Sequence, residues 1–146
     1  MLIGVDPVVG PELLDVLYRM GHGDEIVLAD SFFPGASVNP RVIRADGIRI
    51  PALLDGILAL ISLDTYAIPV AMMAPVPGDT LDEAVGKSYR AVIDRRWPGT
   101  PATELVERFA FYERAKKAFA VVMTGETAKY GNIILKKGVI PVGKKW

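Results

Sequence analysis

His22 is the only histidine of the chain, and it stands between Gly21 and Gly23 just ahead of the apolar run Ile26-Val27-Leu28-Ala29 that Asp30 closes. An imidazole can give and take a proton near neutrality, and flanking glycines let the backbone turn sharply enough for the ring to project. Asp30 would sit at the end of a buried strand, where ligands of open α/β sheets gather. A second group lies far along the chain. Arg108 falls on a stretch of helical spacing beside aromatic residues, and Tyr130-Gly131-Asn132 sets a phenol and an amide around a glycine. Those groups suit the holding of hydroxyls. The chemistry on offer is proton transfer to a small hydroxylated molecule. On spacing alone, a lone histidine in a glycine-rich turn also reads as a plain loop residue, and both readings stand open.

Composition narrows the classes. The 146 residues are 51% hydrophobic and 23% charged, which fits one domain, residues 1–146, with a substantial core. Seventeen Lys and Arg balance seventeen Asp and Glu, so no overall field draws nucleic acid or anionic lipid. With no cysteine and one histidine there is no thiolate site and no histidine cluster, and any catalysis is expected to run without a transition metal or cofactor. The start Met1-Leu2-Ile3-Gly4-Val5-Asp6 lacks the basic and apolar regions of a signal peptide, so the expected compartment is the cytoplasm, with no membrane partner. A mean hydropathy of +0.29 without a spanning segment points to apolar surface covered by neighbouring subunits.

The elements that must position these groups alternate. Pro11–Met20 has helical periodicity with Gly21 as its expected C-cap, which places His22 on the connection to the first strand. Val42–Gly47 reads as a strand ending in a turn, Pro51–Ile61 as a helix, and Val70–Ala74 as a central strand whose methionines fill core. Thr80 and Glu83 have capping-box spacing for a helix to about Arg96, and Arg95-Arg96 suits that helix's negative end better than nucleic-acid contact. A helix is expected from about Glu104 to Ala118, then strands at Phe119–Met123 and Ile133–Leu135. This alternation predicts an α/β domain with a sheet covered on both faces. Gly21-His22-Gly23 lacks the third glycine and the strand-to-helix setting of a dinucleotide site, and no nucleophile elbow is present.

Met20-Gly21-His22-Gly23-Asp24-Glu25, Asp30 with Phe33-Pro34, Val42-Ile43-Arg44-Ala45-Asp46-Gly47, Gly78-Asp79-Thr80-Leu81-Asp82, Arg108-Phe109-Ala110-Phe111-Tyr112-Glu113-Arg114-Ala115 and Ala128-Lys129-Tyr130-Gly131-Asn132 follow one another along almost the whole chain. In order and spacing they resemble the fucose mutarotase and ribose pyranase family, the Phe-Ala-Phe-Tyr-Glu-Arg and Lys-Tyr-Gly-Asn segments being closer to the fucose branch. The resemblance implies a three-layer α/β/α fold with a mixed, mostly buried sheet, a ring-shaped homodecamer, and anomer exchange of a monosaccharide at sites near subunit boundaries. By position it implies His22 as proton donor, and Asp30, Arg108, Tyr130, Gly131 and Asn132 as sugar-contacting residues. Ser31-Phe32 departs from the family's usual form, and the tail Val142–Trp146 runs past its usual end, where Trp146 could reach a neighbour.

The residue types agree with that chemistry. To exchange anomers, the ring oxygen accepts a proton, the anomeric hydroxyl loses one, the freed carbonyl rotates and the ring closes on its other face. His22 is the expected donor, with Asp30 either orienting the imidazole or holding a hydroxyl. Arg108 would anchor oxygens, and Tyr130 with Asn132 would fix the remaining hydroxyls. The alternative is a non-catalytic monosaccharide-binding accessory protein of a sugar uptake or catabolic system, which would need Arg108, Tyr130 and Asn132 but not His22.

Overall fold

Helices and strands alternate through the chain in the order α1 (Pro11–Arg19), β1 (Glu25–Ala29), α2 (Gly35–Val38), β2 (Val42–Ala45), α3 (Ile50–Leu58), β3 (Val70–Met73), α4 (Glu83–Arg96), β4 (Glu104–Val106), α5 (Arg108–Lys117), β5 (Ala120–Thr124) and β6 (Ile133–Lys136). The computed structural model describes residues 1–144, so Trp146 lies outside the described residues. The strands form one sheet of order β2-β5-β1-β6-β3-β4. Five of them run parallel, and β6 is inserted antiparallel between β1 and β3, with Leu28 opposite Ile133 and Met72 opposite the same residue.

Successive strand side chains point to opposite faces, and both faces are covered. Ile26 and Leu28 pack with α1, α3 and α4 through Leu13, Leu17, Leu53, Ile57, Tyr89 and Ile93. Val27 and Ala29 pack on the other face with Phe33, Phe111 and Ala115. The result is the expected three-layer α/β/α arrangement around a mixed, buried sheet. Each fully buried aliphatic side chain contributes about 1.5–3 kcal/mol of transfer free energy, which is why the apolar runs become strands despite their shortness. Met72 and Met73 are core, as expected. Arg95 and Arg96 both grip Asp55 on α3, at 2.9 Å for Arg95 Nη2 and 2.6 Å for Arg96 Nε, so the basic pair joins two helices and holds the Asp55 carboxyl down at about 2.

Three local expectations are corrected. Glu104–Val106 is a strand instead of the start of a helix: it adds to the sheet edge beside β3, and the long helical periodicity hid the break. Helix α5 starts only at Arg108, where the Glu107 carboxylate accepts from the N–H groups of Phe109 (2.9 Å) and Ala110 (3.1 Å). Asp82, rather than Thr80 of the expected capping box, caps α4 by accepting from Ala84 N–H at 2.9 Å, and Glu83 instead pairs with Lys87. Gly21 is not the C-cap of α1. The helix ends with Met20 in an extended conformation, and the Lys137 ammonium donates to the carbonyls of Leu17 (2.8 Å) and Met20 (2.6 Å), a distant cation serving the helix's negative end.

One consequence of topology governs the site. The carboxyl ends of the five parallel strands share an edge with the amino end of β6. Among the described residues no helix is long and apolar enough to cross a membrane, and no group of three or more potential metal ligands occurs.

Candidate active site

At the carboxyl edge, Asp30 follows β1 and Asn132 immediately precedes β6, both buried. Asp30 N–H donates to Asn132 Oδ1 at 2.8 Å, and the Asp30 carboxylate accepts from Phe32 N–H at 3.0 Å. Burial pushes the Asp30 carboxyl above its ordinary value, more than the N–H groups of Phe32, Phe33 and Gly131 and the Asn132 amide pull it back. A desolvated carboxylate of this kind is a better proton acceptor than one in water. The loop that carries Asn132 is tied down by Glu126, whose Oε1 accepts from Thr127 N–H (2.9 Å), Ala128 N–H (3.0 Å) and Arg49 Nη1 (3.0 Å). The Glu126 carbonyl receives both the N–H and the hydroxyl of Ser31 at 2.8 Å, which locks the Asp30 loop to the Asn132 loop.

Tyr130 is the one described non-glycine residue in the left-handed region, with φ of 58°. A bulky side chain there costs about 1–2 kcal/mol, offset by what it reaches. Its hydroxyl donates to Asp79 Oδ2 at 2.7 Å, and its ring packs against the core on the α5 side of the sheet. Lys129, followed by the Tyr130 hydroxyl, holds the Asp79 carboxyl down at about 2. Gly131 is required by space: a Cβ there would lie 2.9 Å from the Ala128 carbonyl oxygen and 3.2 Å from the Tyr89 hydroxyl, which donates to the Gly131 carbonyl at 2.9 Å. Arg108 opens α5 at the end of β4, on the same edge. Its guanidinium lies 4.8 Å from the Phe109 ring centroid, and its buried Nε has no hydrogen-bond partner among the described residues. A buried donor left unmatched is costly to the fold.

His22 stands at the opposite, amino edge. Its turn is built by Gly23 at φ +85°, by Asp24 Oδ2 accepting from Gly21 N–H at 2.7 Å, and by paired backbone bonds between Gly23–Asp24 and Lys137. The ring is 45% exposed, with Nε2 3.1 Å from Oδ1 of Asp64 and its centroid 5.4 Å from that of Tyr66. Asp64 is buried; burial raises its carboxyl, but the Tyr66 N–H, His22 and the Thr65 N–H together outweigh this and leave it below its ordinary value.

Comparison with known proteins agrees with this architecture. The family model described as the RbsD / FucU transport protein family matches residues 3–140. The chain belongs to the RbsD/FucU family. An L-fucose mutarotase of Actinobacillus pleuropneumoniae serotype 5b is 59% identical to this RbsD/FucU chain over 143 residues, 97% of it and 99% of the relative. The fucose mutarotase of Streptococcus pneumoniae, solved with L-fucose, is 46% identical, with a TM-score of 0.90 over 96% of this chain and all of that one. FucU of Bifidobacterium longum is 43% identical, with a TM-score of 0.90 over 94% and 99%. RbsD of Bacillus subtilis, at 20% identity and a TM-score of 0.73, shares the fold.

Within one RbsD/FucU chain, then, Asp30, Tyr130, Gly131, Asn132 and Arg108 occupy one edge and His22 the other. The five residues of β1, at about 3.3 Å each, hold the edges about 16 Å apart. The carboxylate beside the imidazole within one chain is therefore Asp64, not Asp30. Sequence reading missed Asp64, Asp79, Glu126 and Arg49. No local pattern marks a side chain whose partner lies dozens of residues away. The Phe32-Phe33 pair divides: Phe33 is buried against Phe111 and Tyr112, and Phe32 is 75% exposed beside Asp30.

Proposed function

We propose that this chain is a mutarotase that interconverts the α and β anomers of L-fucose or a closely related aldose, by general acid–base opening and closure of the ring. The support that carries the reading is the placement of a desolvated carboxylate, Asp30, and of Arg108, whose buried Nε has no hydrogen-bond partner among the described residues, on the same carboxyl edge of the sheet, where this fold gathers ligands. The names of the relatives at 59% and 46% identity support the same chemistry. Arg108 grips sugar oxygens through its planar fork, and Asn132 with Asp30 holds hydroxyls. Tyr130, its proton committed to Asp79, offers a lone pair and a ring face. His22 is the proton donor to the ring oxygen. No cofactor enters, because the ring C–O bond breaks and re-forms with proton transfers and a bond rotation alone, and no atom changes oxidation state overall.

One chain cannot bring His22 to its own Asp30, so the complete site forms between subunits, the amino edge of one protomer meeting the carboxyl edge of the next. Exposed apolar side chains flank both halves, Tyr66 and Ile68 near His22, and Phe32 and Phe109 near Asp30 and Arg108. Burying such patches is what drives self-association. A closed homo-oligomer follows, a decamer on the family resemblance, with a light-scattering mass about ten times the 15.8 kDa chain. The compartment proposed is the cytoplasm, tested by fractionation.

Magnetisation-exchange NMR on L-fucose, ribose and galactose, with and without protein, tests the activity. Exchange between anomer signals that speeds up with wild type and not with His22→Ala is the expected result. Line broadening without exchange would mean a binding protein and overturn the enzymatic reading.

A further inference from the structure

We propose that Asp64 is a positioning residue for His22, holding the imidazole in the tautomer that turns Nδ1 toward the sugar; this rests on the mutarotase reading above. The geometry begins with Asp64 Oδ1, which lies 3.1 Å from His22 Nε2 and accepts from Tyr66 N–H at 3.1 Å. An ionised carboxylate offers only acceptors, so the nitrogen facing it must be the one that bears hydrogen. The other nitrogen, Nδ1, is then the lone-pair position of the neutral ring, and the ring is left to exchange its proton there. Asp64 is 5% exposed while the imidazole is 45% exposed, so a fixed, shielded anchor steers a ring that still reaches solvent. The Tyr66 ring beside the imidazole limits its rotation from another side.

The anchor itself is rigid because Asp64 is built into the sheet. Its N–H donates to the Lys136 carbonyl at 3.0 Å, Leu63 bridges to Lys137, and Lys137 also receives the turn that carries His22. The imidazole and its carboxylate, 42 residues apart, thus hang from the same end of β6. Gly138 permits this approach: a Cβ there would lie 2.3 Å from the Leu63 carbonyl oxygen. A lone exposed histidine on a glycine turn would sample many rotamers. The carboxylate selects one of them and supports the imidazolium that exists before each proton is delivered.

Because the chain has a single histidine, its imidazole nitrogens can be followed without ambiguity by 15N-detected long-range correlation NMR of the uniformly labelled oligomer. The neutral ring of the wild type is expected to carry hydrogen on Nε2. Asp64→Asn keeps an acceptor oxygen for both Tyr66 N–H and His22 but not the negative charge, so it should retain that tautomer while kcat falls part of the way toward that of Asp64→Ala. Asp64→Ala removes the acceptor, and should give mixed tautomers and a kcat for anomer exchange lower by about tenfold or more, with KM for L-fucose within about twofold of wild type. A wild-type ring protonated on Nδ1, or an Asp64→Ala protein with wild-type tautomer and kcat, overturns the proposal. If wild type shows no exchange activity but has the Nε2–H tautomer, the mutarotase reading fails while the pairing stands, so the two failures are told apart.

Discussion

Two inactive variants should restore each other when they share an oligomer. His22 and Asp30 sit at opposite ends of β1, about 16 Å apart along five residues, and an imidazole spans only a fraction of that distance. If each site takes His22 from one protomer and the Asp30 edge from its neighbour, His22→Ala and Asp30→Asn damage different halves. In a ring assembled at random from equal amounts of both, a site is intact when its histidine comes from an Asp30→Asn chain and its carboxylate from a His22→Ala chain. Each condition is met half the time, so about a quarter of sites are wild type. Coexpression with two affinity tags isolates mixed rings, and magnetisation-exchange NMR reads the rate of L-fucose anomer exchange. About a quarter of the wild-type rate is expected, against a near-background rate when the separately assembled variants are merely combined. A site contained in one chain leaves every mixed ring as inactive as its parents, and that result would refute the shared-site reasoning.

Arg108→Met should raise KM for L-fucose about tenfold or more with no loss of thermal stability, since it removes a buried donor that the protein itself does not satisfy; titration calorimetry and a melting curve check both. Asp30→Asn should melt higher at pH 7 than wild type while losing sugar affinity. The Asp30 carboxyl is raised in the folded state, so the native protein holds its proton more tightly than the unfolded chain, and stability drains away as pH climbs upward from 3.8 through the raised value. The gap in melting temperature between variant and wild type should therefore widen from pH 4 to pH 7, and a constant gap would contradict it. Gly131→Ala should cost about 1–3 kcal/mol in denaturant unfolding, because its methyl group meets the Ala128 carbonyl and the Tyr89 hydroxyl, and should loosen Asn132 enough to raise KM.

Much of this protein is written locally. The helical spacing of Leu13 and Leu17, the apolar run before Asp30 and the glycines around His22 are short-range signals, and each became the expected helix, strand or turn. The chemical types at the site were equally legible, since a lone histidine, an arginine on a helix and a Tyr-Gly-Asn turn are visible without a fold. Local pattern misled where pairing at a distance won. Glu104–Val106 has neighbours in helical register but gains hydrogen bonds by joining β3, and the cation for the end of α1 comes from Lys137.

Assembly was decided elsewhere. Asp30 is bonded to a residue 102 positions away, and His22 to one 42 positions away. Neither partner leaves a mark beside the residue it serves. The deciding feature is the direction of one strand. Because β6 runs against its neighbours, the residues that precede it, Tyr130, Gly131 and Asn132, arrive at the edge where β1 ends, while those that follow it arrive beside His22 and Asp64. Strand direction is a matter of long-range hydrogen-bond pairing and of which faces the helices cover, so amino-acid types alone supplied the groups, and tertiary structure sorted them onto two edges.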